Sequence, residues 1–322
     1  MSSDTPPADT SATPPEDPPA PACVMSFNAG DATGAGGSAG DVATIAAMGA
    51  HALPVLTTVV MRDSAEVFEQ HALEPEVVAE QARTVLEDVT IAAWKVGFLG
   101  NAENVSAVAE ILSDYPDVPL VAYMPNLGWL DDDDQQTYFD AFRELVLPAA
   151  EVLVGNQKTL TDFLLPDWDS ERTPSARELA VAAGEHGTRY VLVTGVMLPS
   201  KGKDQWIDNV LASPQGAITG EKFELFEAGF VGAGDTLSAA LAALLASGAE
   251  LSAAVGEALQ FLDQSLDAGF RPGMGNVVPD RFFWALPPAE GEGGDAPPPE
   301  EGADAGPDDG AGAGPAPSRR VH

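Results

Sequence analysis

The residues best suited to chemistry form a short glycine-rich segment, Gly232-Ala233-Gly234-Asp235-Thr236, which leads directly into a run rich in Ala and Leu. Ala and Leu are strong helix formers, so the segment is predicted to form the first turn of a helix. Backbone N–H groups at a helix start lack partners within the helix, and the helix dipole adds about half a positive charge there. Glycines also allow a phosphate to approach the backbone closely. The pattern therefore predicts an anion hole made by Gly232, Ala233 and Gly234.

Asp235 lies at the mouth of this predicted anion hole. A carboxylate there can act as a general base that takes the proton from a substrate hydroxyl as the hydroxyl attacks a phosphoryl group. The alternative is purely structural, because Asp and Thr are also common helix caps. Spacing alone favours neither interpretation, although phosphoryl transfer needs little more than backbone donors and such a base.

The elements that would position this segment alternate between strand and helix. Strands are predicted at 24–27, 53–60, 91–96, 120–123, 151–154 and 190–194. Helices are predicted at 38–48, 76–86, 102–112, 135–145, 175–185, 237–246 and 253–268. This alternation predicts an α/β fold with a central, mostly parallel sheet and helices on both faces. Residues 204–225 break the rhythm and indicate an extended or hairpin region.

Ligands bind at the carboxyl ends of the strands in such a sheet. A glycine-rich turn, Gly34-Ala35-Gly36-Gly37, follows the first predicted strand, and Lys95-Val96-Gly97-Phe98-Leu99-Gly100 runs out of the third. We therefore expect both loops to lie beside the anion hole at one edge of the sheet.

Length and composition favour one folded domain with two tails. The chain has 322 residues, of which 45% are hydrophobic, and this is enough for one sizeable core. Residues 1–22 and 287–322 are rich in Pro and acidic residues and contain little to bury. We predict that both are disordered and that the domain spans residues 23–286.

The net charge of −35 and the single cysteine limit the partners and the compartment. Such acidity opposes binding to nucleic acid or to an anionic membrane surface. Cys23 alone cannot form an intramolecular disulfide or a cysteine-based zinc site, which favours a reducing compartment and hence the cytoplasm. No apolar segment approaches the roughly 20 residues that span a bilayer.

The histidines and the acidic run give no sign of a resident metal. His51, His71, His186 and His322 have no metal-ligand spacing. The run Asp131-Asp132-Asp133-Asp134 could attract cations, but consecutive aspartates before a helix more often form a solvated helix start. We therefore assign no metal ligand from the sequence.

The glycine-rich segments also carry a family resemblance. Gly232-Ala233-Gly234-Asp235 resembles the anion hole of the ribokinase-like small-molecule kinases. The loop from Lys95 to Gly100 resembles the Lys-Thr-Gly-Met-Leu-Gly loop of one branch, hydroxymethylpyrimidine/phosphomethylpyrimidine kinase of thiamine biosynthesis, and residues 28–44 are similar to its first glycine-rich run. Most of residues 24–280 takes part. The resemblance implies a ribokinase-like three-layer sandwich.

The resemblance also implies roles for particular residues. Asp235 would be the catalytic base. The substrate-binding residues would be Gly37, Asp41, Arg62, Gly97 and Phe98, and the nucleotide-binding residues would be Asn156, Thr194, Gly195 and Thr236. Asp41 would contact polar groups of the substrate, and Gly97 and Phe98 would wall the pyrimidine. Considered without the family, Asp41 is typical of a helix surface, Phe98 of a core, and Arg62 of a solvated loop.

The chain departs from the family mainly in the nucleotide half. Met124-Pro125-Asn126 replaces an Asp-Pro-Val, and Thr194 replaces a Lys before Gly-Gly. Thr159 replaces an acidic residue, for which Asp162 is a candidate substitute because residues three apart share a helix face. These losses remove charges that stabilise the transferring phosphoryl group.

Two further departures concern the substrate. Arg62 occupies the position of a Gln that hydrogen-bonds the pyrimidine, and Arg can donate but cannot accept. Asp235 occupies the position at which this branch usually has Cys, and it matches the form found in pyridoxal kinase.

The resemblance implies an ATP-dependent kinase that uses Mg²⁺ and phosphorylates a small heteroaromatic alcohol, hydroxymethylpyrimidine or its monophosphate. A homodimer is the assembly that we consider. One alternative is a pyridoxal kinase, favoured by Asp235. Another is a catalytically degenerate binding or regulatory protein on the same fold, favoured by Thr159 and Thr194.

Overall fold

A single large sheet runs through the computed structural model, which describes residues 20–199 and 205–285. Its strands are β1 Cys23–Asp31, β2 His51–Arg62, β3 Val67–Ala72, β4 Ala93–Val96, β5 Leu120–Tyr123, β6 Val152–Asn156, β7 Tyr190–Met197, β8 Trp206–Ser213 and β9 Gly216–Glu224. Within the described residues their order is β3-β2-β1-β4-β5-β6-β7-β8-β9. The strands from β2 to β7 in this order are parallel, and β3, β8 and β9 pair antiparallel at the two edges.

Helices cover both faces of this sheet. The described helices are α1 Gly37–Ala47, α2 Pro75–Leu86, α3 Ala102–Ser113, α4 Asp132–Ala141, α5 Gln157–Leu164, α6 Ala176–Glu185, α7 Ala233–Ala246 and α8 Leu251–Asp267. Helices α1, α7 and α8 contribute to one hydrophobic core, and α2 to α6 contribute to the other. This arrangement confirms the predicted three-layer α/β sandwich.

The central strands alternate between these two cores, because successive side chains of a strand point to opposite faces. In β4, Trp94 and Val96 belong to the core under α2 to α6, whereas Ala93 faces α7. Lys95 has the parity of Ala93, so it points toward α1 and α7. In β1, Ser26 pairs in register with Lys95 and shares that face. The sheet thus carries polar side chains into the layer beneath α1 and α7.

The structure adds two elements that are absent from the predicted strands and helices, although the comparison of Thr159 with Asp162 assumed a helix at the second. The strand β3 is a half-exposed edge strand whose residues include Glu69, Gln70 and His71, so it lacks a clear apolar alternation. The helix α5 is only eight residues long and begins directly after the N-cap Asn156. The predicted hairpin region is confirmed as the antiparallel pair β8 and β9.

Two expectations about the chain ends and membranes have different outcomes. The predicted tails, 1–22 and 287–322, lie almost wholly outside the described residues and stay predictions. Among the helices that the structure describes, none is both long and apolar enough to cross a bilayer.

Candidate active site

Two adjoining cavities lie at the carboxyl ends of the central strands. The first cavity has a volume of about 530 Å³ and the second about 430 Å³. Tyr123, Gly232 and Asp235 line both. The predicted anion hole and the loops after β1 and β4 therefore meet at one edge of the sheet, as the sequence indicated.

The anion hole is the first turn of α7, and its geometry requires glycine at two positions. Gly232 is the N-cap and has φ of 86°, and a Cβ there would lie 1.6 Å from the carbonyl oxygen of Ala35. A Cβ on Gly234 would lie 2.2 Å from the hydroxyl oxygen of Tyr123. The N–H groups of Ala233, Gly234 and Asp235 have no acceptor within the helix, because they belong to its first turn. This turn lines the second cavity, where it can receive an anion.

Asp235 is held by three donors beside this turn. Its Oδ1 accepts hydrogen bonds from Asn28 Nδ2 and Lys95 Nζ, both at 2.8 Å, and its Oδ2 accepts one from the N–H of Gly37 at 3.0 Å. The side chain is 16% exposed, where the two cavities meet. No side chain caps α7, so the structure contradicts the interpretation of Asp235 as a helix cap.

Lys95 joins Asp235 to a second carboxylate, Asp41. Its Nζ lies 2.8 Å from Asp41 Oδ1 and 2.9 Å from Asp41 Oδ2, and the side chains of both residues are fully buried. Ser26 Oγ and Asn28 Nδ2 also donate to Asp41 Oδ2. The expectation that Asp41 contacts the substrate needs correction, because its carboxylate lies behind Lys95 and does not line either cavity.

Burial and charge set the protonation of these three groups. Burial opposes the charged form of Asp235, but the charge and hydrogen bond of Lys95 outweigh it and lower the pKa of Asp235 below its usual value. Burial raises the pKa of Asp41 despite Lys95, and the nearby charge of Asp235 adds to this rise. The pKa of Lys95 is raised because the two carboxylates outweigh the effect of burial. Lys95 is therefore a buried ammonium that keeps Asp235 ionised.

Arg281 fastens the loop after β1 to the start of α7. It is 5% exposed, its Nη1 and Nη2 donate to the carbonyl oxygens of Gly34 and Ala35, and its Nε donates to Thr236 Oγ1 at 3.1 Å. Thr236 Oγ1 in turn donates to the carbonyl oxygen of Gly232 at 2.9 Å. The expectation that Thr236 binds nucleotide is therefore wrong in this structure, because its side chain is fully buried in this clasp.

Apolar side chains form one wall of the first cavity. Phe98 and Trp129 meet edge to face with ring centroids 5.5 Å apart, and Leu127 lies beside them. Phe98 is 6% exposed, so it is both a core residue and a cavity wall. Gly97 does not line the cavity, which corrects its expected role; a Cβ there would lie 2.4 Å from Asn28 Oδ1. Gly97 instead leaves room for the Asn28 side chain that holds Asp235.

The turn between β2 and β3 lines the first cavity through Ala65 and Glu66. The carbonyl oxygen of Ser64 accepts from the N–H of Asn276 at 2.9 Å, which ties the turn to the segment before Val277. Val277 is bonded through its backbone to Gly229 and Val231, just before the anion hole. Backbone hydrogen bonds therefore tie the turn between β2 and β3 to the segment that leads into the anion hole.

Arg62 ends β2 and lines both cavities. Its side chain is 15% exposed, so the interpretation as a solvated loop charge does not hold. Gly37, the other predicted substrate residue, also lines the first cavity and donates to Asp235.

Only some of the predicted nucleotide-binding residues line the second cavity. Asn156 and Thr194 line the second cavity, and Asn156 Oδ1 caps α5 by accepting from the N–H of Thr159 at 2.9 Å. Gly195 is not among the lining residues, and its N–H donates to Asn209 Oδ1 at 3.0 Å. The suggestion that Asp162 replaces the missing acid is wrong, because it pairs with Lys158 at 2.6 Å on an exposed helix face.

Sequence reasoning assigned no role to four residues that shape this site, namely Asn28, Lys95, Tyr123 and Arg281. Lys95 could have been noticed as a basic residue inside the apolar strand Ala93-Trp94-Lys95-Val96. A buried lysine is rare unless it is paired, so this position predicts a carboxylate partner. Nothing local marks Arg281, because its partners lie far away in the chain.

Comparisons of the sequence find related proteins along most of the chain. A sequence profile of the family described as phosphomethylpyrimidine kinase matches residues 31–280. The chain is 30% identical over 280 residues to the hydroxymethylpyrimidine/phosphomethylpyrimidine kinase of Streptomyces coelicolor, covering 86% of this chain and 99% of that one. It is 32% identical over 249 residues to the thiamine biosynthetic bifunctional enzyme TH1 of Arabidopsis thaliana, covering 74% of this chain but only 45% of that longer protein.

Comparisons with solved structures show the fold. A pyridoxal kinase of Bacillus subtilis, solved as an ADP complex, superimposes with a TM-score of 0.71 at 21% identity over 83% of this chain and all of that one. The phosphomethylpyrimidine kinase of Clostridium difficile gives a TM-score of 0.59 at 18% identity over 76% of this chain and 98% of that one. These structures establish a ribokinase-like fold. Because the family profile covers most of the chain and a relative of 30% identity matches 86% of it, the protein belongs to the phosphomethylpyrimidine kinase family.

Proposed function

We propose that this protein transfers the γ-phosphoryl group of ATP to 4-amino-5-hydroxymethyl-2-methylpyrimidine, to its monophosphate, or to both, in thiamine biosynthesis. One observation carries the proposal: the Asp235 carboxylate, in the first turn of α7, lies where the two cavities meet. The first cavity has the aromatic wall that a pyrimidine needs, and the second has the backbone donors that a triphosphate needs. The relatives' names support the same substrates.

The chain's own residues supply positioning, a base and electrostatic stabilisation. Asp235 accepts the proton of the substrate hydroxyl while the hydroxyl oxygen bonds to the γ-phosphorus and the bond to the bridging oxygen of ADP breaks. The low pKa of Asp235 makes it a weak base, but the loose transition state of phosphoryl transfer requires little proton removal before the bond forms. The amides of Ala233 and Gly234 stabilise the charge on the transferring group.

The residues present do not build a protein-held magnesium site. Within the described residues no group of three or more His, Cys, Asp or Glu side chains could hold a metal ion, and Asp235 is the only carboxylate among the described residues that line the second cavity. We propose that Mg²⁺ enters on the phosphates of ATP, which are its usual ligands. The cytoplasm as compartment and a homodimer as assembly stay proposals, and the single cysteine supports only the first.

An ADP-release assay with purified protein, Mg²⁺ and ATP tests the function. We expect turnover with the pyrimidine alcohol or its monophosphate and none without an acceptor. An excess of chelator should stop it. ADP release that depends on neither pyrimidine would contradict the proposal.

A second candidate is a pyridoxal kinase, favoured by the carboxylate at position 235. Pyridoxal also carries a hydroxymethyl group on a heteroaromatic ring and would meet the same base. The same assay separates the candidates, because a pyridoxal kinase would give a higher kcat/KM with pyridoxal than with either pyrimidine.

The third candidate is a binding or regulatory protein whose nucleotide site does not support catalysis. It is favoured by Thr159 and Thr194, which stand where the family has charged residues. Of the two, Thr194 lines the second cavity. Calorimetry that detects the pyrimidine but no ATP would support it and contradict the kinase.

A further inference from the structure

Arg62 is the basic side chain that the two cavities share. It lies at the end of β2 and lines both of them, together with Tyr123 and Asp235. Lys95 and Arg281 are also nearby, but both are buried behind the cavity surface and committed to the contacts described above. Among the described lining residues of both cavities, Arg62 is therefore the only cation that a ligand can touch.

The guanidinium of Arg62 forms a long ion pair with Asp31 and keeps both Nη groups free of hydrogen bonds within the described residues. Its Nε donates to the carbonyl oxygen of Asp63 at 3.0 Å, which fixes the stem. Its Nη1 lies 3.8 Å from Asp31 Oδ2, which is too long for a hydrogen bond. Asp31 instead accepts from the N–H groups of Thr33 and Gly36. Within the described residues, the two Nη groups make no hydrogen bond.

A guanidinium with two available Nη groups matches a phosphate. Arg binds phosphate oxygens in pairs, and such charge-assisted bonds are stronger than neutral ones. The carboxylate of Asp235 faces the same junction and would repel a phosphate there. A cation at this point offsets that repulsion. An uncharged alcohol would gain far less from it.

From these contacts we infer that Arg62 binds the phosphate of an acceptor that is already phosphorylated and so makes the site favour a heteroaromatic monophosphate over the free alcohol. Arg62 lines the first cavity together with Phe98 and Trp129, so it is available to an acceptor bound there. The inference rests on the proposed kinase function and extends it to the choice between its two acceptors.

Phosphorylation of such an acceptor needs no reagent other than ATP. An oxygen of the acceptor phosphate bonds to the γ-phosphorus of ATP, and the bond from that phosphorus to the bridging oxygen breaks, leaving the electron pair on ADP. A phosphate monoester carries about −1.5 to −2 charge near pH 7, so most of its population has no proton to lose. Arg62 offsets the repulsion between this acceptor, the nucleotide and Asp235.

The test compares Arg62→Met and Arg62→Lys with the unmodified protein, using hydroxymethylpyrimidine and its monophosphate as acceptors. Met removes the charge without adding an amide that could bind the pyrimidine. We expect Arg62→Met to lower kcat/KM for the monophosphate roughly 10-fold or more beyond any loss for the alcohol, as for the loss of a charged hydrogen-bonding group. Arg62→Lys should recover part of the loss. Arg143→Met is the matched control, because Arg143 is 16% exposed and pairs with Asp140 away from the site.

Equal losses with both acceptors would overturn the inference, since Arg62 would then serve the phosphoryl group of ATP, and so would no loss with either. Thermal unfolding of each variant shows whether the fold is intact. Calorimetry without ATP distinguishes a failure of the proposed kinase function from a failure of the inference about Arg62. A protein that binds the monophosphate more tightly than the alcohol in an Arg62-dependent manner, yet turns over neither, would contradict the kinase and keep the inference. Equal binding of the two ligands would contradict the inference whatever the turnover.

Discussion

Lys95 Nζ lies 2.8 Å from Asp235 Oδ1 and 2.8 Å from Asp41 Oδ1, so one buried ammonium bridges the carboxylate at the cavity junction and a carboxylate that no ligand reaches. Two carboxylates this close to each other would raise each other's pKa without it. Lys95 therefore stabilises the ionised form of Asp235 and fixes its orientation. Asp41 contacts the same ammonium behind the cavity surface.

Replacing Lys95 by Met should be strongly destabilising, because it leaves two buried carboxylates without their cation. We expect the free energy of unfolding to fall by about 3–5 kcal/mol. The double variant Lys95→Met/Asp41→Asn, which removes one charge of each sign, should recover part of that loss. Chemical denaturation of the three proteins measures this coupling, and a double variant no more stable than Lys95→Met would contradict it.

The same variant should change the pH dependence in a defined direction. Lys95 lowers the pKa of Asp235, so in the unmodified protein Asp235 is ionised at all pH values above that depressed pKa. Without Lys95 its pKa rises, and the acidic limb of the kcat profile for the alcohol should move to higher pH. A profile from Lys95→Met that overlays the original, after scaling, would show that Lys95 does not act through Asp235.

Replacing Asp235 by Asn should remove the base but keep the shape of the site. We expect kcat for the alcohol to fall roughly 10²- to 10⁴-fold, the usual contribution of general-base catalysis. Asp162→Asn is the matched control, because that carboxylate is paired with Lys158 on an exposed helix face. The ADP-release assay checks both, and undiminished turnover by Asp235→Asn would show that the base lies elsewhere.

Replacing Gly232 and Gly248 by Ala distinguishes the cost of a positive φ from the cost of a steric clash, because the two glycines have nearly the same φ. Gly232 has φ of 86° and Gly248 has φ of 85°, but a Cβ on Gly232 would lie 1.6 Å from the carbonyl oxygen of Ala35, whereas nothing lies within 4 Å of a Cβ on Gly248. Gly248→Ala should cost only about 1–2 kcal/mol of backbone strain. Gly232→Ala should cost more and weaken ATP binding as well.

Thermal unfolding and ATP titration measure these effects. Equal destabilisation of the two glycine variants, with unchanged ATP affinity, would mean that the backbone next to the anion hole tolerates displacement.

Glu178 should contribute stability that disappears in acid. Hydrogen bonds from Arg172 and from the Ser175 backbone and hydroxyl lower the pKa of Glu178 from 4.5 to about 2. Because the folded value is depressed, the contribution is present above pH 4.5 and is lost as pH falls toward 2. The side chain is 36% exposed, so solvent screening limits the effect to about 1 kcal/mol or less.

Denaturation of Glu178→Gln across this pH range measures that contribution as a difference from the unmodified protein. The difference should shrink as pH falls. A difference that stays constant down to the lowest pH would contradict the assigned role of the Glu178 charge.

Local sequence determined the layered fold and the start of α7. Alternating apolar runs and helical stretches specify strands and helices because burial and hydrogen bonding act over a few residues, and the pattern Gly232-Ala233-Gly234-Asp235 specifies an anion-binding turn in the same way. Where the local signal is weak, as in the edge strand β3, the sequence patterns predicted no element.

Only the tertiary structure decided which groups surround Asp235. Lys95 lies 140 residues from Asp235 and 54 from Asp41, and Asn28 lies 207 residues from Asp235. These side chains meet because β1 and β4 are neighbours in register and direct alternate residues toward α1 and α7. Strand order and register are set by the packing of the whole sheet, so no local pattern could show that Asp41 lies behind Lys95 or that Thr236 is closed off by Arg281.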